Sequence, residues 1–281
     1  MAAKPVVVGV DGSEGSLRAV EWAAQEADRR KSPLRIVTVA AMPPRMQTEA
    51  PPLPGEPTNV GDELRGFSAR ALGAAATRAD EVAPGLLIDT DMLTGAPAEA
   101  IAGSGSGAQL LVVGARGMSG FAALILGSVS RYVAAHAPCP AIVVRTDGPA
   151  DANEVHGEIA VGVRDIREAT EAVAFAFEEA ALRGAGLVAV HSQHGHDGGQ
   201  EASAALAEAL GGWRDKFPAV AARTEIVHGH AGQALAEYAG RADLVVIGRH
   251  GETGGRHAIG SVPHTVLNHA RGPVAVVPCE R

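Results

Sequence analysis

The chain contains one series of segments twice, in the same order, and this duplication limits its fold more than any other feature. PVVVGV at 5–10 is matched by EIAVGV at 158–163, and an amphipathic helical stretch follows each. The later pairs keep the order: DMLTGAPAEAI (91–101) with EIVHGHAGQAL (225–235), QLLVVGARG (109–117) with DLVVIGRHG (243–251), and PCPAIVVR (138–145) with RGPVAVVP (271–278). A tandem duplication of this kind predicts two similar domains.

Each half alternates apolar runs of strand length with helical stretches. In the first half we predict strands near 5–10, 34–39, 86–92, 110–114 and 141–145, with helices near 15–30, 62–82, 97–104 and 127–136. In the second half we predict strands near 158–163, 186–191, 223–228, 243–248 and 273–277. Nearly continuous Val, Ile and Leu runs indicate strands that are covered on both faces, and helical crossovers require parallel pairing. The predicted fold class is α/β, with two tandem doubly wound domains, each a five-stranded parallel sheet with helices on both faces.

The repeat also predicts the domain boundaries. The first domain covers residues 1–147, a linker rich in Gly, Asp and Asn covers 148–157, and the second domain covers 158–281. The stretch 41–61 carries six prolines and lies where the second strand ends. This composition indicates an irregular loop, and two alternatives stay open for it: a lid over a site, or an unstructured surface insertion.

Composition excludes several classes of protein. The net charge of −8 is opposite to the basic surface of a nucleic-acid binder. No apolar run approaches the ~20 residues that span a bilayer, so we expect a cytoplasmic protein without a membrane partner. Two cysteines, Cys139 and Cys279, form no metal-binding motif and are expected to be buried thiols.

A glycine-rich turn between a buried strand and a helix is the strongest functional signal. The pattern is Gly114-x2-Gly117-x9-Gly127-Ser128, after the apolar run LLVV. Glycines let the main chain turn sharply and approach a ligand, and N–H groups at a helix start attract negative charge. The turn therefore predicts an anion site, at the carboxyl edge of the sheet where ligands bind in folds of this class.

Asp11 follows the first strand at the same edge, within Gly9-Val10-Asp11-Gly12-Ser13. Its carboxylate could accept hydrogen bonds from a ribose or base, hold a divalent ion through water, or help Ser13 cap the next helix. Neither G-x-G-x-x-G nor a P-loop is present. Phosphate charge would therefore be met by N–H groups, by the hydroxyls of Ser128 and Ser130, and by Arg116.

These motifs, together with Thr94-Gly95-x-Pro97, resemble the universal stress protein family, and the duplication resembles its tandem-domain members. The resemblance implies a site for an adenine nucleotide, ATP with or without Mg²⁺. It also implies that the final strands of two domains associate, within one chain or between two chains as a homodimer. The nucleotide-binding residues implied are Gly9, Val10, Asp11, Val39, Gly114, Arg116, Gly117, Gly127, Ser128, Val129 and Ser130.

The second half departs from this pattern. Arg164 stands where the first half has Asp11, unless Asp165 substitutes from the next position. Its turn is Gly248-x2-Gly251-x8-Gly260-Ser261, one residue shorter. One residue spans about 3.3 Å of extended chain, which exceeds the tolerance of a hydrogen bond. We therefore expect a weakened or remodelled second site that keeps some anion affinity through Arg249 and His250.

Three functions compete. The first is a regulatory, ATP-binding stress-response protein with at most slow hydrolysis and no catalytic residues. The second is a slow ATPase or nucleotidyl-transfer enzyme, with Asp11 holding metal and Arg116 steadying the phosphate. The third is an interaction module whose ligand sites are vestigial. No G-x-S-x-G elbow is present, and the loop histidines His191, His194 and His196 are typical of exposed residues rather than a metal site.

Overall fold

A computed structural model describes residues 3–40, 60–117, 126–145, 156–164, 169–193, 199–250 and 259–279, without the side chains of 60–62, 199–202 and 250. Most of the proline-rich stretch, and with it the predicted lid, lies outside these residues. The chain divides into two compact units, Met1–Cys139 and Pro140–Arg281. No helix in the described ranges is long and apolar enough to cross a membrane.

The first unit is a parallel sheet with helical crossovers. Its strands follow the order β3-β2-β1-β4. β1 lies between β2 and β4, and Val6 is in register with Leu34 on one side and Leu110 on the other. The elements are β1 (Val6–Gly9), α1 (Glu14–Arg29), β2 (Leu34–Val39), α2 (Val60–Val82), β3 (Ile88–Leu93), α3 (Pro97–Ser104), β4 (Leu110–Gly114) and α4 (Ser128–His136).

The strand order reverses at β1, and this reversal positions the candidate site. The chain runs outward from β1 through β2 to β3, and then returns past β1 to form β4. Right-handed crossovers therefore place α1 and α2 on one face and α3 on the other, consistent with contacts of α1 with α2 and of α3 with α4. The carboxyl ends of β1 and β4 form the crevice in which ligands bind in open α/β sheets.

The second unit repeats this arrangement in the order β8-β7-β6-β9-β10 and adds β5 beside β10. The β5–β10 pair is antiparallel, with Val143 opposite Val274. The elements are β5 (Ala141–Val144), β6 (Glu158–Gly162), α5 (Thr170–Arg183), β7 (Gly186–Gln193), α6 (Gly199–Ala209), α7 (Gly211–Lys216), β8 (Ala222–His228), α8 (Ala231–Tyr238), β9 (Leu244–His250), α9 (Ser261–His269) and β10 (Val274–Cys279).

The predicted α/β fold, with mostly parallel strands and flanking helices, is confirmed. Each predicted strand is present, and its ends lie within about two residues of the observed ones. The prediction of five parallel strands per domain is not confirmed, because β5 pairs with β10 inside the second unit and does so antiparallel. The boundaries at 147 and 158 stay predictions from the repeat.

Within each unit, a strand and a helix approach each other closely at equivalent positions. A Cβ atom on Gly9 would lie 2.9 Å from Cγ2 of Ile101, and one on Gly162 would lie 2.6 Å from Cδ1 of Leu235. Gly9 and Gly162 are equivalent in the repeat, as are Ile101 and Leu235. A glycine at the end of β1 therefore lets α3 pack against the sheet, and a glycine at the end of β6 does the same for α8.

Both units also bury a glutamate that is paired with an arginine one helical turn later. Glu26 is 0% exposed, and its Oε1 accepts a hydrogen bond of 2.6 Å from Nε of Arg30. Glu179, also 0% exposed, pairs with Arg183 in the same way. Removal of the arginine would leave a buried carboxylate without its main partner, which is strongly destabilising.

We predict that Arg30→Met lowers the free energy of unfolding of the first unit by about 3 kcal/mol. Trp22 and Trp213 are the two tryptophans, one in each unit. In a Trp213→Phe background, the fluorescence of Trp22 during urea denaturation therefore reports the first unit.

The matched control is Lys31→Met, which removes an exposed 3.0 Å pair with Asp28. Its cost should be below about 1 kcal/mol, since exposed ion pairs contribute little. Equal destabilisation by Arg30→Met and Lys31→Met would contradict the importance of the buried pair.

Both cysteines are buried free thiols, as the sequence predicts. Burial raises the pKa of Cys139 to about 11 and that of Cys279 to about 11. The thiolate is the reactive form, and a raised pKa reduces its population at neutral pH.

We predict that neither thiol of the native protein reacts with a disulfide reagent such as DTNB at about pH 8 during the time that a urea-unfolded sample needs to react fully. Absorbance of the released thiolate measures the reaction. Rapid release of one equivalent from the native chain would show that one cysteine is accessible.

Candidate functional site

Asp11 lies in the turn that leaves β1 and supports the start of α1. Its Oδ1 accepts hydrogen bonds from the backbone N–H of Ser13 at 3.0 Å and from the Ser13 hydroxyl at 2.6 Å. Ser13 Oγ in turn accepts the N–H of Ser16 at 3.2 Å and is the N-cap of α1. Ser13 is therefore the cap, and Asp11 orients it.

The other carboxylate oxygen of Asp11 lies against the glycine turn. A Cβ atom on Gly117 would be 2.3 Å from Oδ2 of Asp11, a separation that no real Cβ contact reaches. These two residues are far apart in sequence and come together because β1 and β4 are neighbours. The carboxylate after β1 and the turn after β4 are therefore adjacent, at the edge of the sheet where ligands bind in folds of this class.

Two hydrogen bonds join the end of β4 to the start of α4. The N–H of Gly127 donates to the carbonyl of Ala115 at 2.8 Å, and the hydroxyl of Ser130 donates to the carbonyl of Gly114 at 2.6 Å. Ser130 is 4% exposed, so its hydroxyl holds the turn together. This bond uses the proton that we expected to reach a phosphate, and it leaves the backbone N–H as the donor that Ser130 can offer to a ligand.

The start of α4 offers backbone donors to an anion. By helix geometry, the N–H groups of Ser128, Val129 and Ser130 have no acceptor within the helix. Ser128 is exposed and Val129 is half-buried. The positive end of the helix dipole lies at the same place. The predicted phosphate-binding residues therefore lie at the end of β4 and the start of α4. Residues 118–125, which complete the glycine turn, lie outside the described part of the chain.

Gly114 and Arg116 differ in what the structure requires of them. A Cβ on Gly114 would lie 2.6 Å from the carbonyl oxygen of Gly15, so glycine is needed there for α1 to approach β4. Arg116 is half-buried between the glycines. Gly114 is thus needed for the packing of α1 against β4. Arg116 places a positive charge within the turn.

The residues predicted to contact a base lie at the ends of β1 and β2. Val10 is buried, its N–H donates to the carbonyl of Val37 at 2.8 Å, and its carbonyl accepts the hydroxyl of Thr38 at 2.8 Å. Val39 ends β2 and is half-buried, in register with Leu93. Thr38, whose hydroxyl joins β2 to β1, was not among the predicted site residues. No local motif marks it, since a threonine within a β-branched run is typical of a strand.

Gly9, one of the predicted nucleotide-binding residues, has a packing role in the structure. Its Cα faces Ile101 on α3, and its equivalent in the second unit makes the same kind of contact. Among the described residues, no group of three or more His, Cys, Asp or Glu side chains could hold a metal ion.

The second unit lacks key parts of this arrangement. Arg164 replaces Asp11 and is exposed. Pro263 occupies the position of Ser130, so both the hydroxyl and the N–H of that residue are lost. Gly260 enters α9 with φ +83°, whereas Gly127 enters α4 with φ −61°. The sequence analysis missed the proline, although alignment of the two repeats shows it.

Comparison with known proteins agrees with the fold. The sequence profile of the universal stress protein family matches residues 2–145 and 157–278. Universal stress protein Rv2005c of Mycobacterium tuberculosis is 33% identical, and the match covers 96% of each chain. Universal stress protein Rv2623 of the same organism is 30% identical, and the match covers 96% of this chain and 95% of the relative.

A solved structure is also similar over the whole chain. The crystal structure of a universal stress protein from Archaeoglobus fulgidus superposes with a TM-score of 0.74 at 19% identity, and 98% of each chain is covered. This likeness supports the fold alone, while the profile matches and the mycobacterial relatives establish the family. With two matches to the family profile in tandem, the chain belongs to the universal stress protein family.

Proposed function

We propose that the first domain binds an adenine nucleotide, ATP, and that the protein acts as a nucleotide-dependent regulator in a stress response. The observation that carries this proposal is the contact between Asp11 and Gly117 at the reversal point of the sheet. It joins a carboxylate, which can accept hydrogen bonds from a ribose or base, to a turn that offers donors to phosphates. A nucleotide is a ligand with both kinds of group.

Local donors must supply the affinity. The net charge of −8 provides no long-range attraction for a triphosphate, so the binding energy has to come from contacts inside the site. Charge-assisted hydrogen bonds contribute roughly 1.5–3 kcal/mol each. Several from the start of α4, with Arg116, can exceed the cost of association and give micromolar binding, about −8 kcal/mol.

Slow ATP hydrolysis or nucleotidyl transfer is the alternative that we retain from the sequence, with Asp11 and Arg116 as its residues. Oδ1 of Asp11 accepts two hydrogen bonds from Ser13, so this oxygen already supports the start of α1. Turnover faster than about one per second that is abolished in Asp11→Ala would favour this enzyme over a binding protein.

We propose that the second domain does not bind ATP in the same way. The exchange of Asp11 for Arg164 removes a carboxylate from the base side. The exchange of Ser130 for Pro263 removes one backbone N–H donor from the phosphate side. The first loss would affect binding of the base or ribose of ATP, and the second would affect binding of its phosphates. The cytoplasmic location and the homodimer stay predictions.

We predict that Gly117→Ala weakens ATP binding at least about tenfold, or 1.4 kcal/mol. The new methyl group would be forced into the Asp11 carboxylate, so the turn or the carboxylate must move away from the ligand. Isothermal titration calorimetry on the full chain measures the change.

The matched control is Gly103→Ala in α3, where an added Cβ meets nothing within 4 Å and the backbone is helical. Its affinity for ATP should equal that of the wild type, and its stability should rise slightly. Unchanged affinity in Gly117→Ala would remove the proposed site.

We also predict a stoichiometry of one ATP per chain. The titration that measures affinity also gives the number of sites, and Asp11→Ala should abolish the single binding event. A measured value of two would show that the second domain has an equivalent site despite Arg164 and Pro263.

A further inference from the structure

Thr38, near the end of β2, makes a buried contact with the residue that precedes Asp11. It is 2% exposed, and its hydroxyl donates to the carbonyl oxygen of Val10 at 2.8 Å. The N–H of Val10 donates to the carbonyl oxygen of Val37, also at 2.8 Å. Two hydrogen bonds therefore join Val10 to β2, one through each polar group of its backbone.

The hydrogen bond from Thr38 fixes the orientation of the peptide group between Val10 and Asp11. The carbonyl of this group is the one that points to β2 and accepts the hydroxyl. A trans peptide group is planar, and its N–H is directed opposite to its carbonyl. The N–H of Asp11 is therefore directed away from β2, to the side on which β4 and its glycine turn lie.

Helix α2 confines the same turn from another side. Gly12 has φ +82°, a conformation that favours glycine. A Cβ atom on Gly12 would lie 3.4 Å from Cβ of Ala71 and 3.5 Å from Cζ of Phe67, two residues of α2. The side chains of Ala71 and Phe67 therefore pack against Gly12 and limit movement of the turn towards α2.

The backbone of Val39 faces the same crevice. Backbone polar groups point alternately to the two sides of a strand, and the N–H and carbonyl of one residue point to the same side. Because the carbonyl of Val37 accepts the N–H of Val10, the polar groups of Val39 also point to the β1 side. The pairing of β1 with β2 ends at Gly9 and Val37, so the backbone of Val39 lies beyond it.

The second unit makes the equivalent contact with a different side chain. Nδ1 of His191, at the position of Thr38, lies 2.9 Å from the carbonyl oxygen of Val163. The residue next to this contact is Arg164 in the second unit and Asp11 in the first. The hydrogen bond itself therefore belongs to the shared scaffold, and the side chain that it positions differs between the repeats.

We propose that Thr38 is a positioning residue for the nucleoside part of ATP and thereby sets how well the site distinguishes a nucleotide from free phosphates. The inference rests on the proposed nucleotide site of the first domain. Thr38 acts through its neighbours, because it holds the carbonyl that precedes Asp11 and is itself followed by Val39. A turn that is already held in place avoids the cost of ordering when the ligand binds. The donors proposed for the phosphates follow β4, which β1 separates from β2, so they do not depend on this hydroxyl.

The test compares ATP with inorganic tripolyphosphate, which has phosphates and no nucleoside, on the full chain. Thr38→Val keeps the shape of the side chain and removes its hydroxyl. Its dissociation constant for ATP, measured by calorimetry, should rise at least about fivefold. Its dissociation constant for tripolyphosphate, measured by displacement of ATP, should change less than about twofold. Thr38→Ser retains the hydroxyl and should bind ATP within about twofold of the wild type.

The control is Thr90→Val, the same change at an exposed position of the edge strand β3, and it should leave both dissociation constants unchanged. Equal weakening of both ligands in Thr38→Val would show that Thr38 supports only the fold, and unchanged ATP binding would show that its hydroxyl is not needed. Either result would overturn the inference and leave the nucleotide site standing. A wild-type chain that binds no ATP, or from which tripolyphosphate displaces none, would contradict the proposed function, and the role of Thr38 with it.

Discussion

The position of β1 between β2 and β4 is the constraint on which the candidate site depends. It makes the carboxyl ends of β1 and β4 neighbours and brings the carboxylate of Asp11 against Gly117. Without this adjacency, the turn that carries Asp11 and the glycine turn after β4 would not contact each other. The hydrogen bonds from Gly127 and Ser130 to the end of β4 then place the start of α4 beside the same crevice.

The two repeats keep their packing and differ at the edge where ligands bind. Gly9 with Ile101 and Gly162 with Leu235 preserve the approach of a helix to the first strand, and each unit buries a Glu–Arg pair on its first helix. Side chains at the carboxyl edge are not needed for this packing, so they can change without loss of the fold. The duplicated scaffold therefore accommodates Asp11 at this edge in one copy and Arg164 at the equivalent position in the other.

Much of the fold was predictable from the sequence, because continuous apolar runs and amphipathic helices carry strong periodic signals. A glycine turn after β4 and Asp11 in the turn after β1 were also predictable as turns, because glycine at a strand end and Asp before a helix are typical of turns. The hydroxyl of Ser130 was assigned to a ligand and instead binds the carbonyl of Gly114. Residue type alone does not distinguish a phosphate from a backbone carbonyl as the partner of a serine hydroxyl.

The sequence by itself determined the duplication, the alternation of strands and helices, and the presence of a glycine turn between β4 and α4. Strand and helix signals depend on residues that are close in the sequence, and the repeat allowed the two halves of the chain to be compared with each other. The association of the final strands was expected from the resemblance, but only the tertiary structure decided that β5 pairs with β10 within the chain and in the antiparallel direction. It also decided that Asp11 meets Gly117 and that Thr38 joins β2 to β1. Strand order and side-chain contacts join residues distant along the chain, and local sequence patterns carry no record of which distant groups become neighbours.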